Sequence, residues 1–170
     1  MIRVVLGDLA DQESEALLRP VRSDLTPVTA AARDLVQRAG EAVADRLEKL
    51  GPLPVGGAVM TPAGALSSSF IIHVVVLSRE EPQTSSSVQK ALRNGLRRAA
   101  DWEVMSLSLP PLGLGVGAME PEDAARALVD LLNDHIAEGR PPLDLAIVVS
   151  SPYELELFGR LVGGGGSEGG

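Results

Sequence analysis

The segment Phe70-Ile71-Ile72-His73-Val74-Val75-Val76-Leu77 constrains the fold more than any other part of the chain. Its apolar residues stand at consecutive rather than alternate positions, so as a strand it is apolar on both faces. Such a strand needs cover on two sides, which helices on both faces of a sheet provide. Periodicity elsewhere alternates between strand and helix. Residues 2–6, 16–21, 57–62, 104–109 and 143–149 are short apolar runs suited to strands. Across 27–50, apolar residues recur at Ala31, Leu35, Val36, Ala39, Val43 and Leu47, the spacing of a helical face, with Gly40 placed to split the stretch in two. Residues 85–100 put Val88, Ala91, Leu92, Leu96 and Ala99 on one stripe. Residues 121–136 and 152–161 read as two further helices, each opened by a proline, which the first helical turn tolerates. Strands alternating with helices predict an α/β sandwich around a largely parallel sheet.

At 170 residues the chain has the size of one domain. Residues 1–162 are expected to form it, and the terminal Gly-Gly-Gly-Gly-Ser-Glu-Gly-Gly, 163–170, to be a flexible tail. Fifteen basic against 23 acidic residues give a net charge of −8. That balance disfavours nucleic acid, whose phosphates call for a basic surface, and an aromatic content of 2% leaves few stacking platforms. The absence of cysteine excludes disulfides, thiolate metal sites and a cysteine nucleophile, and two histidines leave little for zinc. No metal or cofactor is expected. The first residues lack the apolar core of a signal peptide, and the longest apolar run is too short to span a bilayer. A cytoplasmic protein that makes no membrane contact is the expectation.

Leu109 to Ala125, with the sequence LPPLGLGVGAMEPEDAA, carries the strongest chemical signal. It follows a strand, places glycine at 113, 115 and 117, and runs into a helix. Glycines so spaced permit φ > 0 and close approach of main-chain amides to an anion, the construction of a phosphate nest. The adjoining helix dipole adds to it, whereas Glu120, Glu122 and Asp123 oppose an anion on their side. A dinucleotide fingerprint would stand in the first βα unit, and Ala118 occupies the third glycine's place. A P-loop would need lysine after glycine, yet the only lysines are Lys49 and Lys90. Two readings stay open: backbone phosphate binding without lysine, and a tight connection with no ligand.

Five segments in register resemble the macro domain family, whose modules bind ADP-ribose and related nucleotides. They are Val4-Val5-Leu6-Gly7-Asp8-Leu9, Arg38-Ala39-Gly40, the stretch from Pro54 to Leu66 (PVGGAVMTPAGAL), Phe70-Ile71-Ile72-His73-Val74-Val75, and Leu109-Pro110-Pro111-Leu112-Gly113-Leu114-Gly115-Val116-Gly117. The likeness runs over about residues 2 to 162. It implies a three-layer α/β/α sandwich with a central mixed, mostly parallel sheet.

The resemblance also implies residue roles. Asp8 matches the family's aspartate that accepts a hydrogen bond from the adenine amino group, and Leu9 offers an amide beside it. Gly113, Leu114, Gly115, Val116, Gly117 and Ala118 match the loop that holds phosphate and distal ribose, with Leu114 where a hydroxyl residue is common. Tyr153 lies near the place of the aromatic that stacks on adenine. The family's Asn-Ala-Ala-Asn corresponds to Arg19-Pro20-Val21-Arg22, followed by Ser23-Asp24-Leu25-Thr26-Pro27-Val28 instead of a run of glycines. Arg22 takes the place of the asparagine that orients the ribose, and with Val28 completes the expected ligand set. The implied function is binding of ADP-ribose or a related adenosine diphosphate ligand, free or on an ADP-ribosylated protein, without efficient catalysis. The alternatives are a hydrolase of ADP-ribosyl, phosphate or acyl derivatives of ADP-ribose, and a ligand-free interaction module.

Other reactive side chains have plainer expectations. His73, inside an apolar strand, reads as a core histidine bonded to the backbone, and His135 as a cap at a helix end. Asp24 is expected to pair with Arg22 or Arg19 at the surface, and one of those arginines is a candidate phosphate ligand. Ser67, Ser68 and Ser69 read as a polar turn with no nucleophile among them.

Overall fold

In the computed structural model, which describes residues 1–117 and 119–163, the strand Phe70–Leu77 buries each residue from Ile71 to Val76. It is the fourth of six strands: β1 (Ile2–Leu6), β2 (Ala16–Arg22), β3 (Ala58–Pro62), β4 (Phe70–Leu77), β5 (Ser106–Leu109) and β6 (Asp144–Val149). Among the described residues five α-helices are interspersed with them: α1 (Ala30–Ala39), α2 (Glu41–Leu50), α3 (Ser85–Asp101), α4 (Pro121–Ala137) and α5 (Pro152–Gly163). One sheet has the order β1-β6-β5-β2-β4-β3. All its pairings are parallel except that of the edge strand β3 with β4. The α/β/α sandwich with a mixed, mostly parallel sheet is therefore the architecture.

Side-chain alternation divides the core between the two faces. Leu18, Ile72 and Val74 face the layer of α3, α4 and α5, in one core cluster with Leu96, Leu132 and Phe158. Leu17, Val21, Ile71 and Val75 face α1 and α2, meeting Leu35, Ala39 and Val43. Each of the larger side chains contributes about 1.5–3 kcal/mol on full burial, so the sheet is held from both sides.

Local sequence sets the helix ends. The Thr29 hydroxyl accepts from the Ala32 amide at 3.1 Å to start α1, and Gly40, at φ 108°, turns the chain between α1 and α2. A reciprocal pair of hydrogen bonds between Thr84 and Ser87 opens α3. Most boundaries fall within three residues of expectation, and two of the differences have local causes. Strand β5 begins at Ser106, not 104, because the Trp102 and Val104 amides are taken by the Arg98 and Ala99 carbonyls at the end of α3. Gly163 belongs to α5, whose Leu161 and Val162 lie partly buried on the core. The rest of the expected tail, 164–170, lies outside the described residues, as does Ala118. Among the described residues no helix is long and apolar enough to cross a membrane.

Candidate functional site

Five parallel strands bring their carboxyl ends to one crest. From β2 the chain proceeds to β3 and β4 on one side, and from β5 to β6 on the other, which puts the topological switch between β2 and β5. These two strands pair only at Ala16–Leu107 and Leu17–Ser108 and part toward the crest. The loop from Ser23 to Thr29 folds back into the gap. The Val28 amide donates to the Pro20 carbonyl at 3.4 Å, and Val21 bridges Pro27. Proline is tolerated at position 20 of an interior strand because β5 has already departed there.

Asp8 ends the turn after β1. Its residue is exposed, and its main-chain carbonyl accepts from the Asp11 amide at 3.2 Å and the Gln12 side chain at 3.0 Å. Its carboxylate accepts no hydrogen bond among the described residues, and it adds to the field that holds the Arg38 guanidinium above its ordinary value, chiefly an effect of Asp11. Leu9 is buried, while its amide lies at the start of a short 3₁₀ turn, Leu9–Asp11, with no acceptor in the turn. The Gly7 amide donates to the Val149 carbonyl at 3.0 Å, which ties this corner to the end of β6. There Tyr153, 62% exposed, stands in the first turn of α5. Glu154 fixes that turn by accepting from the Ser150 amide and hydroxyl, each at 3.1 Å. Asp8, Leu9 and Tyr153 therefore come together at one corner.

The glycine turn follows β5. Gly113, Gly115 and Gly117 all have positive φ, at 93°, 74° and 63°. A Cβ at Gly115 or Gly117 would meet nothing within 4 Å, so backbone conformation and not crowding calls for glycine there. Leu112 is buried and Leu114 packs partly on the core, anchoring the turn. Within it the Val116 amide donates to the Gly113 carbonyl at 3.4 Å. The amides of Leu114, Gly115 and Gly117 meet no protein acceptor among the described residues.

The loop after β2 has the opposite character. The Leu25 amide donates to the Arg22 carbonyl at 2.8 Å and the Arg22 amide to the Thr26 carbonyl at 2.9 Å. Asp24 accepts from the Thr26 amide and hydroxyl, at 3.0 and 2.6 Å. Those two bonds, the hydroxyl first, hold the Asp24 carboxyl below the usual carboxylate range. The expected ion pair of Asp24 with arginine is replaced by this local turn, because Thr26 is two residues away and already oriented. Arg22 is exposed, and its Nη1 donates to the Pro27 carbonyl at 2.6 Å. Val28 is half-buried.

Arg19 corrects a further expectation. At 1% exposure it cannot reach a ligand at the surface. Its Nε donates to His73 Nδ1 at 2.7 Å, Nη1 to the Ala32 carbonyl at 3.1 Å and Nη2 to the Leu25 carbonyl at 3.1 Å. Burial pushes its pKa down to about 10. Because His73 Nδ1 accepts, the ring is neutral with its proton on Nε2, which donates to the Thr61 hydroxyl at 2.9 Å. Burial, then the Arg19 charge, hold His73 well below the ordinary histidine value. His73 is thus a core histidine, bonded to side chains and not to backbone. The signal for this network was present: Arg19 shares the strand parity of Leu17 and Val21, which face the α1–α2 core.

His135 is buried, with Nε2 3.0 Å from the Pro142 carbonyl, so it pins the chain entering β6 instead of capping α4. Ser68 donates to the Gln12 carbonyl at 3.1 Å within the expected polar turn. Among the described residues no three His, Cys, Asp or Glu side chains are grouped to hold a metal.

A sandwich of this topology belongs to the class in which ligands lie beyond the carboxyl ends of the parallel strands. The model of the macro domain family matches residues 20–128, and the chain belongs to that family. A macro domain-containing protein of Caldanaerobacter subterraneus subsp. tengcongensis is 26% identical over 165 residues, 94% of each chain. In fold, the chain matches a point mutant of the Oceanobacillus iheyensis macrodomain solved with ADPR, with a TM-score of 0.81, 18% identity and coverage of 94% of this chain and 90% of that one. It also matches the Trypanosoma brucei macrodomain in complex with ADP, with a TM-score of 0.82, 15% identity and coverage of 95% and 68%.

Proposed function

We propose that the crest binds ADP-ribose or a related adenosine diphosphate ligand, free or attached to a protein. The observation that carries this reading is the pairing of a hydrogen-bond-accepting carboxylate, Asp8, at one corner with a three-glycine turn after β5 whose Leu114, Gly115 and Gly117 amides have no protein acceptor among the described residues. Family membership and the ADPR- and ADP-bound macrodomains of the same fold support it. Asp8, acceptor-only when ionised, suits the adenine amino group, with the Leu9 amide beside it and the Tyr153 ring available to the base. Amides of Leu114, Gly115 and Gly117 suit phosphate oxygens, and Gly113 and Val116 complete that turn.

Arg22 and Val28 contribute at the rim, as a cation and an apolar contact. The Leu25, Thr26 and Val28 amides are donated within the protein, so the β2–α1 loop does not wrap the ligand as a glycine run would. Binding without efficient turnover is the consequence.

Calorimetric titration with ADP-ribose tests this. Saturable heat with one site is expected, and none at millimolar ligand rejects the reading. Asp8→Ala removes a charge-assisted hydrogen bond of about 1.5–3 kcal/mol, so ADP-ribose should weaken roughly ten- to a hundred-fold. Ribose 5-phosphate, which lacks the base, should be unaffected. Equal losses for both ligands would contradict the role given to Asp8.

A further inference from the structure

Although the net charge is −8, one helix is rich in cations. Helix α3 carries Lys90, Arg93, Arg97 and Arg98 against a single carboxylate, Asp101, which is occupied by Arg140 at 3.5 Å. None of the four α3 cations makes an ion pair among the described residues. Steps of three and four residues keep Lys90, Arg93 and Arg97 on neighbouring lines of the helix surface, and Arg98 turns toward β3.

On one side Arg97 and Arg98 border a cavity of about 300 Å³ between α3 and the segment entering β3, lined also by Gly56, Gly57, Asn94 and Asp101. Its walls are fixed. Asn94 donates to the Gly56 carbonyl at 2.5 Å, Arg98 reaches the Ala58 carbonyl at 3.4 Å, and the Lys90 stem lies over Gly56, whose added Cβ would come within 2.9 Å of it.

At the far end of α3 stands Trp102, the only tryptophan of the chain and 62% exposed. Phe70 supports it from one side, with ring centroids 6.5 Å apart and planes inclined at 49°. From Lys90 to Trp102 the helix rises roughly 18 Å at 1.5 Å per residue, which gives a line of cations ending in an aromatic platform. Asp134 and Glu138 of α4 lie across the other flank of α3, at the cavity shared with Arg93 and Arg97. On the β3 flank Asp101 is paired with Arg140, while Glu80 and Glu81 stand near Lys90, so the Arg97–Arg98 end is the part of the groove most attractive to an anionic chain.

We propose that the α3–β3 groove binds single-stranded nucleic acid, with Lys90, Arg97 and Arg98 on successive phosphates and one base stacked on Trp102. The two arginines suit phosphate oxygens through their planar forks, and an electrostatic track joined to an aromatic is how strands are held without sequence preference. An acidic polypeptide would use the cations but leave the tryptophan without a role. The site is separate from the crest and does not depend on the function proposed there.

The lone tryptophan makes a direct probe. Titrating the full chain with a short oligo-deoxythymidylate at low salt should quench its emission to saturation. With three or four phosphates engaged, log affinity should fall against log salt with a slope of roughly −2 to −3. Charge reversal at the exposed pair, Arg97→Glu with Arg98→Glu, should abolish binding of a fluorescein-labelled strand measured by anisotropy. Trp102→Ala should weaken it at least about five-fold. The proposal fails if the strand produces neither quenching nor anisotropy change, or if the variants bind like the unaltered chain. Displacement by ADP-ribose would move the strand to the crest, and equal displacement by polyglutamate would reassign the groove to acidic polypeptides; either overturns it.

Discussion

Arg19 shows how much a single side chain can organise in this fold. Three carbonyl or ring acceptors, from β4, α1 and the β2–α1 loop, converge on one guanidinium at 1% exposure with no carboxylate bonded to it. Burying a cation without a counter-charge costs several kcal/mol, offset here only because every partner is a preplaced hydrogen-bond acceptor. Lysine keeps the charge but has a compact ammonium in place of a fork and cannot reach three separated acceptors. Arg19→Lys is therefore expected to lower stability by about 2 kcal/mol or more, since at least one buried acceptor is left unsatisfied. Urea denaturation measures this, and faster hydrogen exchange at the Leu25 and Val28 amides would locate the damage in the β2–α1 loop. A stability equal to that of the unaltered chain would show the three bonds to be expendable. Strand parity in the sequence already set Arg19 on the face of Leu17 and Val21. The pull of its charge toward a surface role obscured that, because composition alone does not reveal acceptors contributed by residues up to 54 positions away.

At the scale of elements, glycine has two opposite uses in helices. Gly95 lies inside α3 against the sheet, and an added Cβ would fall 2.8 Å from Val74 Cγ1 and 3.0 Å from Leu18 Cδ1. Gly159 lies inside α5 with nothing within 4 Å of an added Cβ. Alanine is favoured over glycine in a helix by about 0.8–1 kcal/mol, whereas overpacking costs about 1–3 kcal/mol. The same substitution should thus carry opposite signs: Gly159→Ala raises the denaturation midpoint, and Gly95→Ala lowers it by about 1 kcal/mol in stability after the two effects are combined. Two increases would mean that Val74 and Leu18 yield freely, which close packing disfavours. The elements themselves follow from periodicity to within a few residues, because apolar spacing and capping are local. The shortened β5 does not, since its boundary is decided by the carbonyls of the preceding helix, which claim the Trp102 and Val104 amides.

For the whole molecule, apolar runs such as Ile71–Val76 require two covering layers, but they leave open which loops meet at the crest. The order β1-β6-β5-β2-β4-β3 brings the turn that carries Asp8 next to the end of β6, and in the sheet sets it apart from β2 by strands distant in sequence. That juxtaposition arises from pairing of residues more than a hundred positions apart, such as Val4 with Ile147, and periodicity carries no information about it. The same long-range assembly gives the molecule its response to acid. His73 is enclosed by three strands' worth of contacts and held neutral, its pKa well below 6.5 through burial and the adjacent Arg19 charge. In the unfolded chain the same ring takes up a proton at its ordinary value near 6.5. Below that pH the unfolded state binds more protons than the folded one, so folding stability must fall as pH is lowered, by up to about 1.4 kcal/mol per pH unit for this one group. His73→Gln retains an acceptor for Arg19 and a donor for Thr61 but does not titrate. Stability measured from pH 7 to 5 should therefore decline less steeply in His73→Gln than in the unaltered chain, although the variant is no more stable at pH 7. Parallel curves would mean that His73 is protonated in the folded state, which would require Arg19 to give up its bond to Nδ1 and the loop above it to lose its anchor.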